Sequence, residues 1–249
     1  MVVEAVSLQV RAGEAWAIIG RSGAGKSALI AAAATAVPLQ GGDLFVQGRS
    51  VRREPEAVRQ LIGYAPDRLP DWPGLRAAEL LRLFATAAGL RGDAARQAVD
   101  KSLAMAGLTD RGRSELDALS AGHSKHLLIA RALLHDPQVL LFDDPFSGLD
   151  PAAAASVERL IGDAHLMGRT VLAAIDNACV PSCFTHLAVL REGQLVAEGR
   201  NDPAAFAAGR RWRFVIRCPG RAEQVLRPLE PLVRELQTVD DDTIAVQLG

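Results

Sequence analysis

Charge of one sign is missing from this chain: 28 Lys and Arg stand against 29 Asp and Glu, a net of -1. No overall field therefore draws the protein toward nucleic acid or anionic lipid. The basic stretch RSVRREPEAVR (49–59) reads as a solvated face. Cysteine is scarce, with only Cys179, Cys183 and Cys218. An odd, sparse set fits a reducing compartment better than a disulfide framework. Cys179 and Cys183 have no neighbouring Cys or His cluster of the kind a metal site requires. Long apolar runs are also lacking. The longest, ALIAAAATAV (28–37), falls short of the ~20 residues that span a bilayer. No leader-like segment is read at the start, and no repeat of 20 to 50 residues is found. Any work at a membrane is expected to go through a partner.

What is present is a core-forming composition, 49% apolar and 23% charged over 249 residues. That suits one large domain, or a main domain with a small annex. EAWAIIG (14–20) reads as a strand ending at a glycine, followed by helix-like sequence from Lys26 to Val37. GGDLFVQGRSV (41–51) patterns as a hairpin and LIGYAPD (61–67) as a strand. Residues 75–136 are helical in periodicity with no strand between, the mark of an inserted helical subdomain. Strands return at 138–144, 170–175 and 186–199, with a helix at 151–167. From about residue 210 a smaller unit is expected: a strand at RWRFVIRC, a helix over 221–236 and a strand at TIAVQL. The expected division is a main domain over 1–205 and an annex over 210–249.

GRSGAGKS (20–27) has the form G-x-x-x-x-G-K-S and sits between a strand and a helix, where its mechanism needs it. Gly20, Arg21, Ser22, Gly23, Ala24 and Gly25 form a loop whose backbone N–H groups turn toward one centre. With the positive helix end they make an anion cradle. Lys26 would reach the outer phosphates of a nucleotide and the Ser27 hydroxyl would bind Mg²⁺. VLLFDDPFSGLD (139–150) then explains itself. An apolar strand ending in Asp143 delivers a second ligand to Mg²⁺. Asp144 follows and leaves the backbone in another direction, placed to face attacking water; a turn-capping role is its structural alternative. The fold class is α/β: a P-loop NTPase core with a mainly parallel sheet, the helical insertion, and a small α+β appendage.

With LSAGH (119–123) upstream and SGLD (147–150) downstream of that strand, the order of motifs resembles the nucleotide-binding subunit of ATP-binding cassette (ABC) transporters, over residues 2 to 200. The resemblance implies two cassettes sandwiching two ATP molecules. Ser120 and the Gly122 N–H would contact the partner's ATP, and Asp150 would cross the dimer interface while capping the helix opened by Pro151. It implies ATP and Mg²⁺ as ligands, a transmembrane permease and a second ABC ATPase subunit as partners, no nucleic acid, and a place on the cytoplasmic face of the membrane. The segment after Tyr64, stiffened by Pro66, Pro70 and Pro73, would receive the membrane subunit.

Departures from the pattern bear on activity. The catalytic Glu is Asp144. The switch His is Asp176, or Ile175 if the alignment slips by one. The Q-loop Gln is Asp67, an acidic residue familiar in ABC-2-type exporters, which the annex also resembles. His123 is expected to face solvent. The aromatic that stacks on adenine is missing, either because the true start lies upstream or because adenine is held weakly; Trp16 is expected in the core. These features imply an ABC-2-type subunit that binds Mg-ATP with slow hydrolysis at its own loop, most economically in a heterodimer. An ABC ATPase without a membrane partner is the alternative, against which stand the single cassette and the near-neutral charge. A P-loop kinase or GTPase has no use for LSAGH and SGLD.

Overall fold

The computed structural model describes residues 3, 6–176 and 180–201, and the backbone of 213–217, 235–240 and 243–247. Six strands form the central sheet: β1 (Ala15–Ile19), β4 (Ile62–Ala65), β5 (Val139–Asp143), β6 (Thr170–Ile175), β7 (His186–Arg191) and β8 (Gln194–Arg200). Their order is β4-β5-β6-β1-β7-β8, parallel except for β8, which returns antiparallel beside β7. All five residues of β1 are buried, as expected of a parallel strand covered on both faces.

The side-chain period of two divides the core. Ala15, Ala17, Ile19, Val171, Ala173 and Ile175 join one cluster with residues of α5 (Ala121–Leu133) and α6 (Pro151–Leu166). Trp16, Ile18, Leu172 and Ala174 join the other, with α1 (Lys26–Ala33) and α2 (Pro55–Leu61). A third cluster holds the inserted helices α3 (Ala77–Ala87) and α4 (Gly92–Met105). Helix α5 belongs to two of them. Leu128, Ile129, Ala132 and Leu133 face the sheet, while Leu127 and Ala130 face α3 and α4. Each fully buried leucine or isoleucine contributes about 1.5–3 kcal/mol, so α5 ties the helical subdomain firmly to the strand ends.

The structure follows the expected order and refines its details. The hairpin is β2 (Phe45–Val46) with β3 (Arg49–Ser50). Helix α2 lies in the stretch read as a solvated basic face; Pro55 at its first position and Glu56 in its first turn are ordinary start signals. Helix α1 stops at Ala33, short of the expected Val37. Thr35 turns left-handed at φ 57, and the Ala36 N–H closes back on the Ala31 carbonyl at 2.8 Å. Residues 6–10 have no regular secondary structure, although Val6, Leu8 and Val10 pack on the core. Trp16 is buried and stacks on His186, ring centroids 4.8 Å apart.

Three strands close the chain: β9 (Arg213–Arg217), β10 (Glu235–Asp240) and β11 (Thr243–Gln247), ordered β10-β11-β9 and all antiparallel. The expected strands at both ends are present. β10 was not anticipated: its first two residues lie in the stretch read as a helix, whose remainder, 221–234, falls outside the described residues. Cys179 and Cys218 also fall outside them. Cys183 is a free thiol packed in the core, its pKa pushed up by burial to about 12.

Asp150 caps α6. Its Oδ1 accepts from the Ala153 N–H at 2.8 Å, and Pro151 occupies the first helical position. Losing such a cap costs about 1 kcal/mol. Asp150→Ala is expected to lower Tm by about 2–4 °C for a chain of this size, and Asp150→Ser, which keeps an acceptor, to lower it less. Thermal unfolding followed by circular dichroism checks this; equal losses in both variants would show that the cap contributes nothing.

Candidate functional site

The carboxyl ends of β1, β5 and β6 lie side by side: Ile19 pairs with Ile175, and Asp143 with Ala174. Open parallel sheets bind ligands beyond these ends. Here they deliver the 20–27 loop from β1, Asp143 and Asp144 from β5, and Asp176 from β6. Ile175 is fully buried in β6 and Asp176 is the first residue past it, so Asp176, not Ile175, reaches the loop.

Two glycines shape that loop. A Cβ on Gly20 would lie 2.2 Å from the Leu190 carbonyl oxygen, so only glycine lets the loop leave β1 so close to β7. Gly25, at φ 101, is the N-cap of α1, in a conformation that favours glycine. No side chain caps α1 and its first turn carries no acid. Its leading N–H groups thus have no side-chain acceptor of their own, as an anion cradle requires. Lys26 curls into the loop at 4% exposure. Its Nζ donates to the Gly20 carbonyl at 2.7 Å and the Arg21 carbonyl at 3.0 Å, and lies 2.5 Å from Asp176 Oδ1. The resemblance put Asp176 at the switch position; the structure adds that it is paired with the loop lysine.

Four carboxylates influence one another here. Asp67 is paired with Lys125 (2.8 Å) and Asp176 with Lys26. Asp143 and Asp144 have no such ion pair among the described residues. Burial pushes the Asp143 carboxyl above its usual range, the charges of Asp67 and Asp176 add to the rise, and the Ser27 hydroxyl and Lys125 oppose it. Asp144 is raised likewise, first by burial, then by Asp176. Asp143 Oδ1 is buried with no hydrogen-bond partner. An orphaned carboxylate oxygen beside a serine hydroxyl suits a hard divalent cation such as Mg²⁺. No group of three His, Cys, Asp or Glu arranged to hold a metal occurs among the described residues. The remaining ligands would have to be phosphate oxygens and water, which is how Mg²⁺ is commonly bound.

Lys125, on α5, is a site residue that sequence reasoning missed. Its buried ammonium donates to the Asp67 carbonyl at 2.7 Å, Asp67 Oδ1 at 2.8 Å and the Asp144 carbonyl at 2.6 Å. Ser147 adds a hydroxyl donating to Asp67 Oδ1 at 2.7 Å. Burial would raise the Asp67 carboxyl, but the hydrogen bonds from Lys125 and Ser147 outweigh it and hold it below its usual range. The available signal was a lysine in register with Leu128, Ile129 and Ala132 on a buried helical stripe.

Ser120 is the N-cap of α5. Its Oγ accepts from the His123 N–H at 3.2 Å and lies 2.9 Å from His123 Nδ1. His123 is thus half-buried and tied to Ser120, not simply solvent-facing. Gly122 sits close to α6, where a Cβ would meet Ala153 Cβ at 3.1 Å. Ser120 and Asp150 bond to their own helix ends and not to the 20–27 loop. Beside Lys125, a groove of about 530 Å³ is lined by Asp67, Pro70, Trp72, Leu116, Ser124 and Ser147.

The family model described as ABC transporter matches residues 3–147. The chain is 25% identical over 98% of its length to the linearmycin resistance ATP-binding protein LnrL of Bacillus subtilis, covering 77% of that protein. It is 30% identical to the Nod factor export ATP-binding protein I of Paraburkholderia xenovorans, over 95% of this chain and 78% of that one. It spans only 37% of the macrolide export ATP-binding/permease protein MacB of Hyphomonas neptunium, at 27% identity over 94% of this chain. A solved ATP-binding subunit of an ABC transporter superposes with a TM-score of 0.70 at 28% identity, covering 84% of this chain and 87% of that one. A dimeric ATP-binding cassette bound to ADP and Pi shares the fold, with a TM-score of 0.72 at 24% identity over 78% of this chain and 88% of that one.

Proposed function

Because the chain belongs to the ABC transporter family as an ATP-binding subunit, we propose that it binds Mg-ATP on its 20–27 loop, works with a transmembrane permease and a second cassette, and hydrolyses ATP slowly at its own site. The observation that carries this reading is the lysine-filled loop facing the orphaned Asp143 Oδ1. The loop N–H groups and the α1 N-terminus cradle the phosphates, and Lys26 turns to the outer ones on leaving Asp176. Ser27 and Asp143 would hold Mg²⁺, which neutralises charge between the outer phosphates when bound. Asp144 orients the attacking water and takes its proton. No helix among the described residues is long and apolar enough to cross a membrane. A permease segment would dock in the groove beside Trp72, placing the subunit at the cytoplasmic face.

The finer assignment to ABC-2-type exporters rests on Asp67 at the Q-loop position and on the extra carboxy-terminal strands. Relatives named for export support it, although one relative, of Rhodospirillum rubrum, is named for methionine import. Residues 210–249 serve as an interaction or dimer-support annex. A heterodimer suits the slow site: the partner's ATP would meet this chain's Ser120 and Gly122, with Asp150 at the interface.

Mg²⁺ dependence tests the reading. Wild-type protein should bind a fluorescent ATP analogue at least about tenfold more tightly with Mg²⁺ than with EDTA. Asp143→Asn should lose most of that difference, because a neutral amide replaces the ligand carboxylate. Binding in the wild type that ignores Mg²⁺ would refute the assignment of Asp143 and Ser27.

A further inference from the structure

We propose that Lys125 is a positioning residue for hydrolysis, aiming Asp144 by holding the backbone of Asp144 and of Asp67 at once. The inference rests on the proposed ATPase site and adds to it a residue from a different helix.

Asp144 has φ 44, a left-handed conformation uncommon outside glycine, which aspartate enters more readily than most residues and which its neighbours hold in place. It is the bend at which the chain leaves β5, and it decides where the carboxylate points. The support comes from both sides. The Asp144 N–H donates to the Ala174 carbonyl on β6 at 3.0 Å. The Asp144 carbonyl accepts from Lys125 Nζ at 2.6 Å; Ser147 Oγ lies 3.2 Å away, its single hydrogen shared with the closer Asp67 Oδ1. The two remaining ammonium donors of Lys125 go to Asp67, carbonyl and carboxylate. An ammonium has three donors, and all three are used, so the lysine has one low-energy position. Its carrier, α5, is packed against the sheet through Leu128, Ile129, Ala132 and Leu133, and a rigid mount is what a positioning group needs.

The same helix begins at Ser120, five residues earlier, roughly 7.5 Å along the axis. Its N-terminus is the end proposed to meet the partner's ATP. A shift of α5 on that side therefore moves the donor that sets the bend at Asp144. Misplacement of a reacting group by about 1 Å can cost on the order of 100-fold in rate.

The test compares the wild type with Lys125→Met, Lys125→Arg and the swap Asp67→Lys/Lys125→Asp in the full chain. Readouts are equilibrium binding of a fluorescent ATP analogue, Tm, and single-turnover hydrolysis of radiolabelled ATP, which reads very slow rates. Lys125→Met should leave nucleotide affinity within about threefold and slow hydrolysis at least tenfold; Lys125→Arg, still a donor, should recover part of the rate. The swap restores an ion pair but leaves the Asp144 carbonyl without its ammonium donor. It should recover Tm and not the rate. Recovery of the rate by the swap, or Lys125→Met hydrolysing like the wild type, would overturn the proposal. A wild type that binds Mg-ATP but hydrolyses none over hours would overturn it too, while a wild type that binds no nucleotide would instead refute the function on which it rests.

Discussion

Lys26→Ala is expected to weaken Mg-ATP binding by at least about 30-fold. A hydrogen bond from a charged donor is worth about 1.5–3 kcal/mol, which alone gives roughly 10- to 150-fold. The structure adds a second loss. Lys26 lies 2.5 Å from Asp176 Oδ1, and without the ammonium that carboxylate faces the incoming phosphates uncompensated. Removing the acid as well should restore part of the affinity, so Lys26→Ala with Asp176→Ala should bind more tightly than Lys26→Ala alone; neighbouring groups of this kind are not additive. Asp176→Ala alone should bind ATP more tightly than the wild type, because phosphate no longer competes with an internal anion. AMP should respond less than ATP throughout, since Lys26 is directed to the outer phosphates. Calorimetric titration of the four proteins checks the set. ATP affinity in Lys26→Ala within twofold of the wild type would remove the lysine from the site.

Much of the candidate site's layout could be read from the sequence because its elements are local. The loop is contiguous over 20–27, its helix starts at Lys26, and the apolar run 139–143 shows where a strand ends in an acid. The parallel core was legible for the same reason, each strand being a short apolar run bounded by turn residues. Other features depend on contacts the chain order hides. Lys125 meets Asp67 across 58 positions and Asp144 across 19, so its register on the apolar stripe of α5 is visible in the sequence but its partners are not. Asp176 meets Lys26 from a distant part of the chain, and that ion pair is hidden in the same way. Helix α2 was obscured by its many charges, and α1 was read too long because alanine-rich sequence continues past a turn made by Thr35, a residue uncommon in the left-handed conformation. β10 was missed because a polar segment beginning Glu235-Leu236 continues a plausible helical pattern while its strand pairing comes from β11.

Asp144→Glu with Asp176→His is expected to raise hydrolysis at least about tenfold. The resemblance to the family implies Glu and His at these positions. The aspartate is shorter by one methylene, roughly an ångström of reach, and a shortfall of that size can cost on the order of 100-fold. Asp176 supplies an acceptor-only anion where a neutral donor would serve, and it holds Lys26. Burial and the Asp176 charge both push the Asp144 carboxyl above its usual range. Replacing Asp176 by His removes one of those causes and so also favours the ionised base. Both changes act on one water and one phosphate, so each alone should gain less than the pair. The gain asked for is about 1.4 kcal/mol of transition-state stabilisation. Phosphate release at saturating Mg-ATP, measured for the wild type, both single variants and the double variant, separates a slow site from a competent one. Wild-type turnover should lie well below the ~1–1000 per second common among enzymes, with a rise of tenfold or more only in the double variant. Ordinary turnover in the wild type, unchanged by either substitution, would contradict a slow site and make Asp144 a competent base as it stands.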